Sequence, residues 1–213
     1  MDKLPPRLIL FSRLPVAGRV KTRLVPALGA QGAAALQDKL ARRLAGRMRE
    51  LAGRLPLELE LCYTGGGEDQ ARAWLGPAFA CVAQKPGHLG QRMAQALARA
   101  LARGAPRAVL VGSDLPGLDA DMLERAFAAL ERSPLALGPS TDGGYYLVGL
   151  SRPAPGLLEE PHWRSLAALS SRAAALGLEP ALLPALRDLD TPSDLAYWAE
   201  RDPQFRSWTD PTA

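Results

Sequence analysis

The chain has little of several residue types on which whole classes of function depend. Two cysteines and two histidines among 213 residues show no metal-ligand spacing, so we expect no zinc site. Aromatic residues make up only 6% and form no stripe with basic residues, which argues against a surface that stacks nucleic-acid bases. No apolar stretch approaches the roughly 18 residues that cross a membrane. We therefore expect neither a nucleic-acid nor a membrane partner, and the cytoplasm as the default location.

The sequence also lacks the short motifs of common nucleotide-binding and hydrolytic sites. It has no G-x-S-x-G elbow, no P-loop and no dinucleotide-binding glycine fingerprint. Its composition is that of an ordinary globular protein, with 47% hydrophobic and 23% charged residues, and its length suits one domain over residues 1–213. The net charge of +4 weakly favours an anionic ligand.

Strand-like and helix-like segments alternate along the chain, which predicts a three-layer α/β/α fold with a mostly parallel sheet. Two strand-like runs, residues 135–138 and 145–150, are joined by Asp142-Gly143-Gly144 with no helix between them. This hairpin signal predicts an antiparallel element and hence a mixed sheet. Alternating Leu and Glu over residues 57–63 predict a half-exposed strand, and the residues from Asp202 onward are expected to form a loose tail.

The first strand leads into a loop that is rich in positive charge. A loop with Pro15 and Gly18 follows an apolar run over residues 8–12. The residues that then carry a charge or a hydroxyl are Arg19, Lys21, Thr22 and Arg23. Such a loop lies at the carboxyl edge of the sheet, where ligands bind, and its compact ammonium and bidentate guanidinium groups suit a polyphosphate. The alternative is an ordinary solvated basic loop.

Two carboxylates far apart in the sequence stand at the ends of strand-like runs. Asp114 comes directly after the run at residues 108–111, and Asp190 comes just before a helix start at Thr191-Pro192. Carboxylates at two strand ends can converge on Mg²⁺, which proteins hold through one or two carboxylates together with substrate phosphates. The alternatives are a turn-forming role for Asp114 and a capping role for Asp190. Asp188 is close enough to share or replace the role of Asp190.

Two glycine-containing loops are further candidates for ligand binding. Gly143 and Gly144 would let the backbone approach a ligand closely beside Asp142, although Asp-Gly-Gly is also a good turn sequence by itself. The other loop leads into a helix predicted over residues 91–103. The residues there that we expect to shape a base or ribose pocket are Gly87, Gly90 and Arg92.

Five segments together carry a resemblance to a known family. They are SRLPVAGRVKTRL (residues 12–24), GHLGQRM (87–93), VGSDLPGL (111–118), PSTDGGYYLVGL (139–150) and DLDTPSDL (188–195). In this order they resemble the glycosyltransferase-A-like proteins of the domain of unknown function 2064 family. The resemblance implies a Rossmann-like glycosyltransferase-A fold with a mixed, mostly parallel central sheet. The wider superfamily contains nucleotidyltransferases and also glycosyltransferases that use nucleotide sugars.

The resemblance also implies roles for the candidate site residues. The segment from Gly18 to Arg23 matches the phosphate-binding loop of the superfamily, in which Arg19 and Lys21 would be catalytic by holding the β- and γ-phosphates. Asp114 matches the metal aspartate, and Asp190 is similar to the second metal aspartate of cytidylyltransferases that carry a DTPEDL segment. The implied cofactor is therefore Mg²⁺ or Mn²⁺.

The function expected from these residues is nucleotidyl transfer from a nucleoside triphosphate to a phosphorylated small-molecule acceptor of unknown identity. Ser113-Asp114 lacks the full D-x-D pair of many glycosyltransferases, which favours this reaction. One alternative is glycosyl transfer from a nucleotide sugar, and another is a non-catalytic nucleotide-binding protein. The nucleotide base and the formation of a homo-oligomer stay open.

Overall fold

Seven strands form one sheet at the centre of the molecule. They are β1 (Arg7–Arg13), β2 (Glu58–Thr64), β3 (Phe79–Ala83), β4 (Ala108–Gly112), β5 (Leu135–Pro139), β6 (Tyr145–Leu150) and β7 (Pro180–Leu182). In the computed structural model, which describes residues 4–209, their order across the sheet is β3-β2-β1-β4-β6-β5-β7. β6 runs antiparallel to β4 and β5, and the other neighbours are parallel. The predicted mixed, mostly parallel sheet with a hairpin between β5 and β6 is confirmed.

Helices cover both faces of this sheet. They are α1 (Val25–Arg54), α2 (Glu68–Leu75), α3 (Leu89–Ala102), α4 (Ala120–Ala129), α5 (Leu166–Ala175), α6 (Pro192–Arg201) and α7 (Pro203–Thr209). Leu8 and Leu10 pack with the layer of α1, α2 and α4, whereas Ile9 between them packs with α3 and α5. Because both faces are covered, the central strands are nearly continuous apolar runs. The predicted three-layer α/β/α fold is confirmed, and no helix within residues 4–209 has the length and apolar character to cross a membrane.

Local sequence signals set several helix boundaries. Thr191 caps α6 through a reciprocal pair of hydrogen bonds with Asp194, in which each side chain accepts from the backbone N–H of the other residue. Asp119 caps α4 by accepting from the backbone N–H of Met122 at 2.8 Å. Gly29, with a φ of 68°, interrupts the first turn of α1, so the continuous part of this helix begins after it.

The prediction of a half-exposed strand at residues 57–63 is wrong. β2 lies between β1 and β3 and is covered on both faces, so its residues 59–63 are all buried. Glu60 is only 2% exposed, and its carboxylate forms an ion pair with Arg99 of α3. A charged residue at an alternating position indicates exposure only when no partner of opposite charge reaches it, and Arg99 supplies that partner from another element.

The prediction of a loose tail from Asp202 is also wrong for the residues that the structure describes. Residues 203–209 form α7, and Phe205 is fully buried in a cluster with Leu36 and Leu40 of α1. Arg43 of α1 contacts the carboxylate of Asp202 at 2.6 Å. Phe205 and the neighbouring ion pair of Asp202 with Arg43 hold this segment against α1, although its sequence shows no clear apolar period. Residues 210–213 lie outside the described part of the chain.

Candidate functional site

The carboxyl ends of β1 and β4 lie side by side at one edge of the sheet. The two strands pair in parallel, with Phe11 opposite Gly112, so the loop after β1 meets the residues after β4. A direct contact joins them, because the Nζ atom of Lys21 lies 2.7 Å from Oδ1 of Asp114. The expectation that the basic loop and Asp114 share one edge of the sheet is therefore confirmed.

Lys21 is buried, with only 2% of its side chain exposed. Its φ of 46° makes it the only residue other than glycine with a positive φ within residues 4–209. Such a conformation is uncommon for a residue with a Cβ atom and clusters at functional sites. Besides contacting Asp114, the ammonium donates a hydrogen bond to the carbonyl oxygen of Leu189 at 2.5 Å. The buried ammonium is therefore satisfied by Asp114 and the Leu189 carbonyl oxygen. A phosphate that bound Lys21 would have to replace one of these two partners.

The loop after β1 surrounds a cavity of about 310 Å³, which we call the basic cavity. Its cationic lining residues are Arg13, Arg19, Lys21 and Arg23. Arg13 holds the loop in shape, because its Nη1 atom donates to the carbonyl oxygen of Arg19 at 2.8 Å. Gly18 has a φ of 74°, a left-handed conformation that favours glycine and allows the loop to turn. The charged side chains thus surround one space instead of pointing in unrelated directions.

Two residues of the basic loop offer free polar groups to this cavity. The side chains of Arg19 and Thr22 are exposed and contact no other polar group among the described residues. Arg23 is also largely exposed, and its Nη1 atom lies 2.8 Å from Oδ2 of Asp190. Pro15 stands earlier in the loop, half-buried and outside the lining of the basic cavity. Of the loop residues predicted from the sequence, Pro15 and Gly18 therefore do not line the cavity, whereas Arg19, Lys21, Thr22 and Arg23 do.

The segment of residues 188–190 lies against the end of β4. The backbone N–H of Leu189 donates to the carbonyl oxygen of Asp114 at 2.8 Å, so the two predicted metal aspartates come from adjacent backbone. Asp114 and Asp190 both line the basic cavity, and their side chains are 44% and 38% exposed. Asp188 lines two other cavities and does not line the basic cavity. The structure thus brings Asp114 and Asp190, but not Asp188, to the basic loop.

The donor set of this site fits a hard cation that is only partly ligated by protein. Within residues 4–209, no three His, Cys, Asp or Glu side chains lie together as a complete metal site. Proteins commonly hold Mg²⁺ through one or two carboxylates while substrate phosphates and water complete its coordination, and the two half-exposed carboxylates beside the basic loop are donors of this type. The residues that would hold such an ion are Asp114 and Asp190.

The Asp142-Gly143-Gly144 turn joins β5 to β6 and also borders the site. Oδ1 of Asp142 accepts a hydrogen bond from the backbone N–H of Gly144 at 2.8 Å, and Gly143 has a φ of 90°. Asp142 lines a third cavity together with Asp188 and Asp190. Burial, followed by the nearby carboxylate of Asp142, raises the pKa of Asp188. Asp142 therefore acts as a turn-forming residue, and its carboxylate adds negative charge to the edge of the site.

The residues predicted to shape a base or ribose pocket lie around the start of α3. A Cβ atom on Gly90 would come within 2.4 Å of the Leu158 carbonyl oxygen and of the Trp163 ring, so this glycine permits close packing. Gly87 precedes the helix cap with a φ of 136°. Nη1 of Arg92 donates to Oε1 of Gln84 at 2.9 Å. Neither cavity that Asp114 lines includes Gly87, Gly90 or Arg92 among its lining residues.

A buried polar cluster behind the basic loop was missed by the sequence reasoning. Gln37 of α1 donates from Nε2 to the hydroxyl of Ser113 at 2.9 Å and to that of Ser12 at 3.1 Å. The Ser12 hydroxyl in turn donates to Ser113 at 3.2 Å. The cluster ties the end of β1, the end of β4 and α1 together next to Asp114. The one available signal was a glutamine placed among the buried Ala and Leu positions of an otherwise amphipathic helix.

A second cavity, of about 270 Å³, adjoins the basic cavity, and we call it the apolar cavity. Its apolar lining residues are Phe11, Leu89, Met93, Leu110, Leu115, Leu147 and Val148. The two cavities share Phe11, Gly112 and Asp114, so a ligand in one would lie beside a ligand in the other. The site is therefore double, with a cationic half and an apolar half on either side of Asp114.

Several solved structures have the same fold as this chain. A protein from Desulfovibrio desulfuricans G20, provisionally named a nucleotide-diphospho-sugar transferase, is 32% identical with a TM-score of 0.81, over 97% of this chain and 91% of that one. CMP:2-keto-3-deoxy-manno-octonic acid synthetase in complex with CTP is 13% identical with a TM-score of 0.60, over 94% of this chain and 99% of that one. Rv0371c from Mycobacterium tuberculosis H37Rv in complex with manganese is 21% identical with a TM-score of 0.52, over 93% and 100%. The last two similarities show the fold alone.

The family assignment follows from the sequence match. A family model described as "Uncharacterized protein conserved in bacteria (DUF2064)" matches residues 44–165. This match spans more than half of the chain, and the chain belongs to the DUF2064 family, as its motifs had indicated. Among curated proteins, none matches the chain.

Proposed function

We propose that this protein is a divalent-metal-dependent transferase that binds a nucleoside triphosphate or a nucleotide sugar and passes part of it to a small-molecule acceptor. The observation that carries the proposal is the convergence of Arg19, Lys21 and Asp114 on the basic cavity. The 32% identity to a protein named a nucleotide-diphospho-sugar transferase supports the same class of donor. Catalysis of this kind rests on positioning and on the neutralisation of phosphate charge, which the basic cavity is built to supply.

The basic loop would bind the donor through its phosphates. Arg19 is exposed and without a polar partner among the described residues, so its guanidinium is free to form a bidentate contact with a phosphate. The Thr22 hydroxyl stands next to it at the cavity wall. Lys21 would exchange its contact with Asp114 for a phosphate oxygen, since its ammonium already lies at the wall of the same cavity. The exchange leaves the Asp114 carboxylate free for a new cation.

The two aspartates would hold the divalent ion. Asp114 and Asp190 line the basic cavity and each keeps more than a third of its side chain exposed, so both are accessible to a hydrated cation. Arg23 pairs with Asp190 and neutralises it until a cation arrives. When bound, Mg²⁺ or Mn²⁺ would neutralise negative charge that develops on the leaving phosphate group. The manganese complex of Rv0371c, which has the same fold, supports a divalent cation as the cofactor.

Two reactions are compatible with a donor held in this way. In nucleotidyl transfer, a phosphate of the acceptor attacks the α-phosphorus and pyrophosphate leaves. In glycosyl transfer, a hydroxyl of the acceptor attacks the anomeric carbon and a nucleoside diphosphate leaves. The first reaction is the one that the incomplete D-x-D pair favours. The second is favoured by the apolar cavity, whose charged lining residues are the carboxylates of Asp114 and Asp188.

The proposal is tested by ligand-dependent thermal stability in wild type and in Asp114→Asn. We expect CTP or UDP-glucose to raise the Tm of the wild type more with Mg²⁺ than without it, and the Mg²⁺-dependent part of the shift to be absent in Asp114→Asn. Asp121→Asn is the matched control, because Asp121 pairs with Arg54 on α1 and lines neither cavity. A folded Asp114→Asn variant that keeps the full Mg²⁺ effect would contradict the proposal.

Product analysis separates the candidate reactions. Release of pyrophosphate from a triphosphate indicates nucleotidyl transfer, and release of a nucleoside diphosphate from a nucleotide sugar indicates glycosyl transfer. Stabilisation by nucleotides without turnover over a broad panel of acceptors would favour a non-catalytic nucleotide-binding protein.

A further inference from the structure

The apolar cavity has an unusual combination of walls for a pocket beside a phosphate site. Residues from β1, α3, β4 and β6 make most of its surface apolar. Its charged lining residues are Asp114 and Asp188, and within residues 4–209 no Lys, Arg or His lines it. Lys21 pairs with Asp114 from the side of the basic cavity, but Asp188 forms no ion pair among the described residues, so a phosphate placed in the apolar cavity would be desolvated beside an uncompensated carboxylate, which is unfavourable.

The hydroxyl groups around the apolar cavity do not change this balance. The Tyr145 hydroxyl donates its proton to the carbonyl oxygen of Trp163 at 2.8 Å, and the Tyr146 hydroxyl donates to that of Pro184 at 3.1 Å. Ser140 is placed to donate to the carbonyl oxygen of Leu186 at 3.5 Å. These protons are directed to the backbone, so the cavity mainly offers acceptor atoms. A ligand that matches it must therefore bring a hydrogen-bond donor and an apolar body.

The apolar cavity lies directly beside the proposed phosphate site. It shares Phe11, Gly112 and Asp114 with the basic cavity, so its occupant would lie beside the phosphates of a bound donor. Asp188 lines the apolar cavity but not the basic one, and its negative charge stays on the acceptor side when Asp114 is taken up by a cation. The repulsion of anionic acceptors by Asp188 therefore persists in the donor-bound state.

From this arrangement we propose that the apolar cavity is the acceptor site, and that it takes an uncharged molecule with a hydroxyl group and an apolar body while excluding phosphorylated acceptors. The acceptor role rests on the function proposed above, whereas the ligand preference of the cavity can be measured without it. The proposal selects a hydroxyl, and not a phosphate, as the attacking group of the acceptor.

The chain provides a direct probe of this cavity. It has four methionines. Met93 lines the apolar cavity, whereas Met48 of α1 is fully buried in the core. We would label the methionine methyl groups with ¹³C, assign the Met93 signal with Met93→Leu, and titrate with 2-phenylethanol and with its phosphate monoester. Both titrations are run on the protein alone and with Mg²⁺ and UDP.

The expected result is a saturable shift of the Met93 signal with 2-phenylethanol, no shift of Met48, and an affinity for the phosphate ester lower by about tenfold or more. Leu89→Trp should weaken binding of the alcohol, since Leu89 lines the cavity at a partly exposed position. Leu182→Trp is the matched control, because Leu182 is 60% exposed on the edge strand β7 and lines neither cavity.

Three outcomes would overturn the proposal: equal or tighter binding of the phosphate ester in either state, no saturable response of Met93 to the alcohol, or a response that Leu89→Trp leaves unchanged.

Calorimetry with CTP and UDP in the presence of Mg²⁺ distinguishes failure of the acceptor proposal from failure of the proposed function. If neither nucleotide binds, the proposed function fails, and the Met93 titration still decides whether the cavity prefers hydroxyl compounds. If a nucleotide binds and the phosphate ester is preferred, the acceptor proposal alone fails.

Discussion

Replacement of Lys21 by methionine tests the central contact of the site. The side chain of Lys21 is 2% exposed, and its ammonium contacts Asp114 at 2.7 Å and the Leu189 carbonyl oxygen at 2.5 Å. Methionine keeps most of the side-chain volume and removes the charge. Loss of the charged donor to the buried Leu189 carbonyl oxygen costs about 1–3 kcal/mol, and the half-exposed Asp114 carboxylate can be solvated instead. We therefore expect the free energy of unfolding, measured in urea, to fall by about that amount without loss of the fold.

The same variant should have opposite effects on two kinds of ligand. Mn²⁺ alone should bind Lys21→Met at least as tightly as wild type, because the variant no longer holds a cation against Asp114. A triphosphate with the metal should bind more weakly by about ten- to hundredfold, since a charge-assisted phosphate contact is worth about 1.5–3 kcal/mol. A nucleoside has no phosphate and should lose little. Calorimetry with Mn²⁺, CTP, CDP and cytidine measures all four affinities.

Two results would refute this reasoning about Lys21. Triphosphate affinity within about twofold of wild type would mean that the Lys21 ammonium interacts only with the protein's own groups. A difference that small is no more than an exposed charge pair contributes. Equal losses for triphosphate, diphosphate and nucleoside would mean that Lys21 shapes the loop and does not touch phosphate. Arg132→Met is the control for removal of a positive charge, because Arg132 is exposed near the start of β5, at the opposite edge of the sheet.

Two further predictions concern stability. Burial by itself would raise the pKa of Asp194, but hydrogen bonds from Thr191 and Arg187 outweigh it and hold the pKa below its usual value. The carboxylate therefore stabilises the fold above the unfolded-state pKa of about 3.9, and this contribution is lost as the pH falls through the lower folded-state pKa. Asp194→Asn should cost about 1 kcal/mol at pH 7 by urea unfolding, and the difference from wild type should shrink near pH 3. Phe205→Ala should lower the free energy of unfolding by about 3–5 kcal/mol, because Phe205 is fully buried, whereas a loose tail would show no change.

The sequence by itself determined the elements whose causes are local. The strand before the basic loop, the hairpin at Asp142-Gly143-Gly144 and the cap at Thr191 all appear as predicted. The apolar period, the turn residues and the capping residues each act over only a few positions, so they can be read directly from one sequence. The order of the basic loop and Asp114 along an alternating α/β pattern was likewise enough to place both at one edge of the sheet.

Other features depended on partners that are distant in the sequence. Glu60 was expected on an exposed face, and its burial follows from Arg99 of α3 reaching it across the sheet. Phe205 belongs to a segment without a clear apolar period, and its burial follows from packing against Leu36 and Leu40 of α1. In both cases the decisive contact joins two elements, and neither element carries a local signal of the other.

At the site, the sequence determined which residue types are present and which edge they occupy, and the tertiary structure decided what each of them touches. Lys21 reaches the carbonyl oxygen of Leu189 across 168 residues of chain, which fixes its ammonium beside Asp114 instead of in solvent. Packing also separates two neighbouring carboxylates, so that Asp190 lines the basic cavity and Asp188 the apolar one. Charge and hydrogen bonding act over a few ångströms, and separations of that size between remote segments are set only when the helices and the sheet pack together.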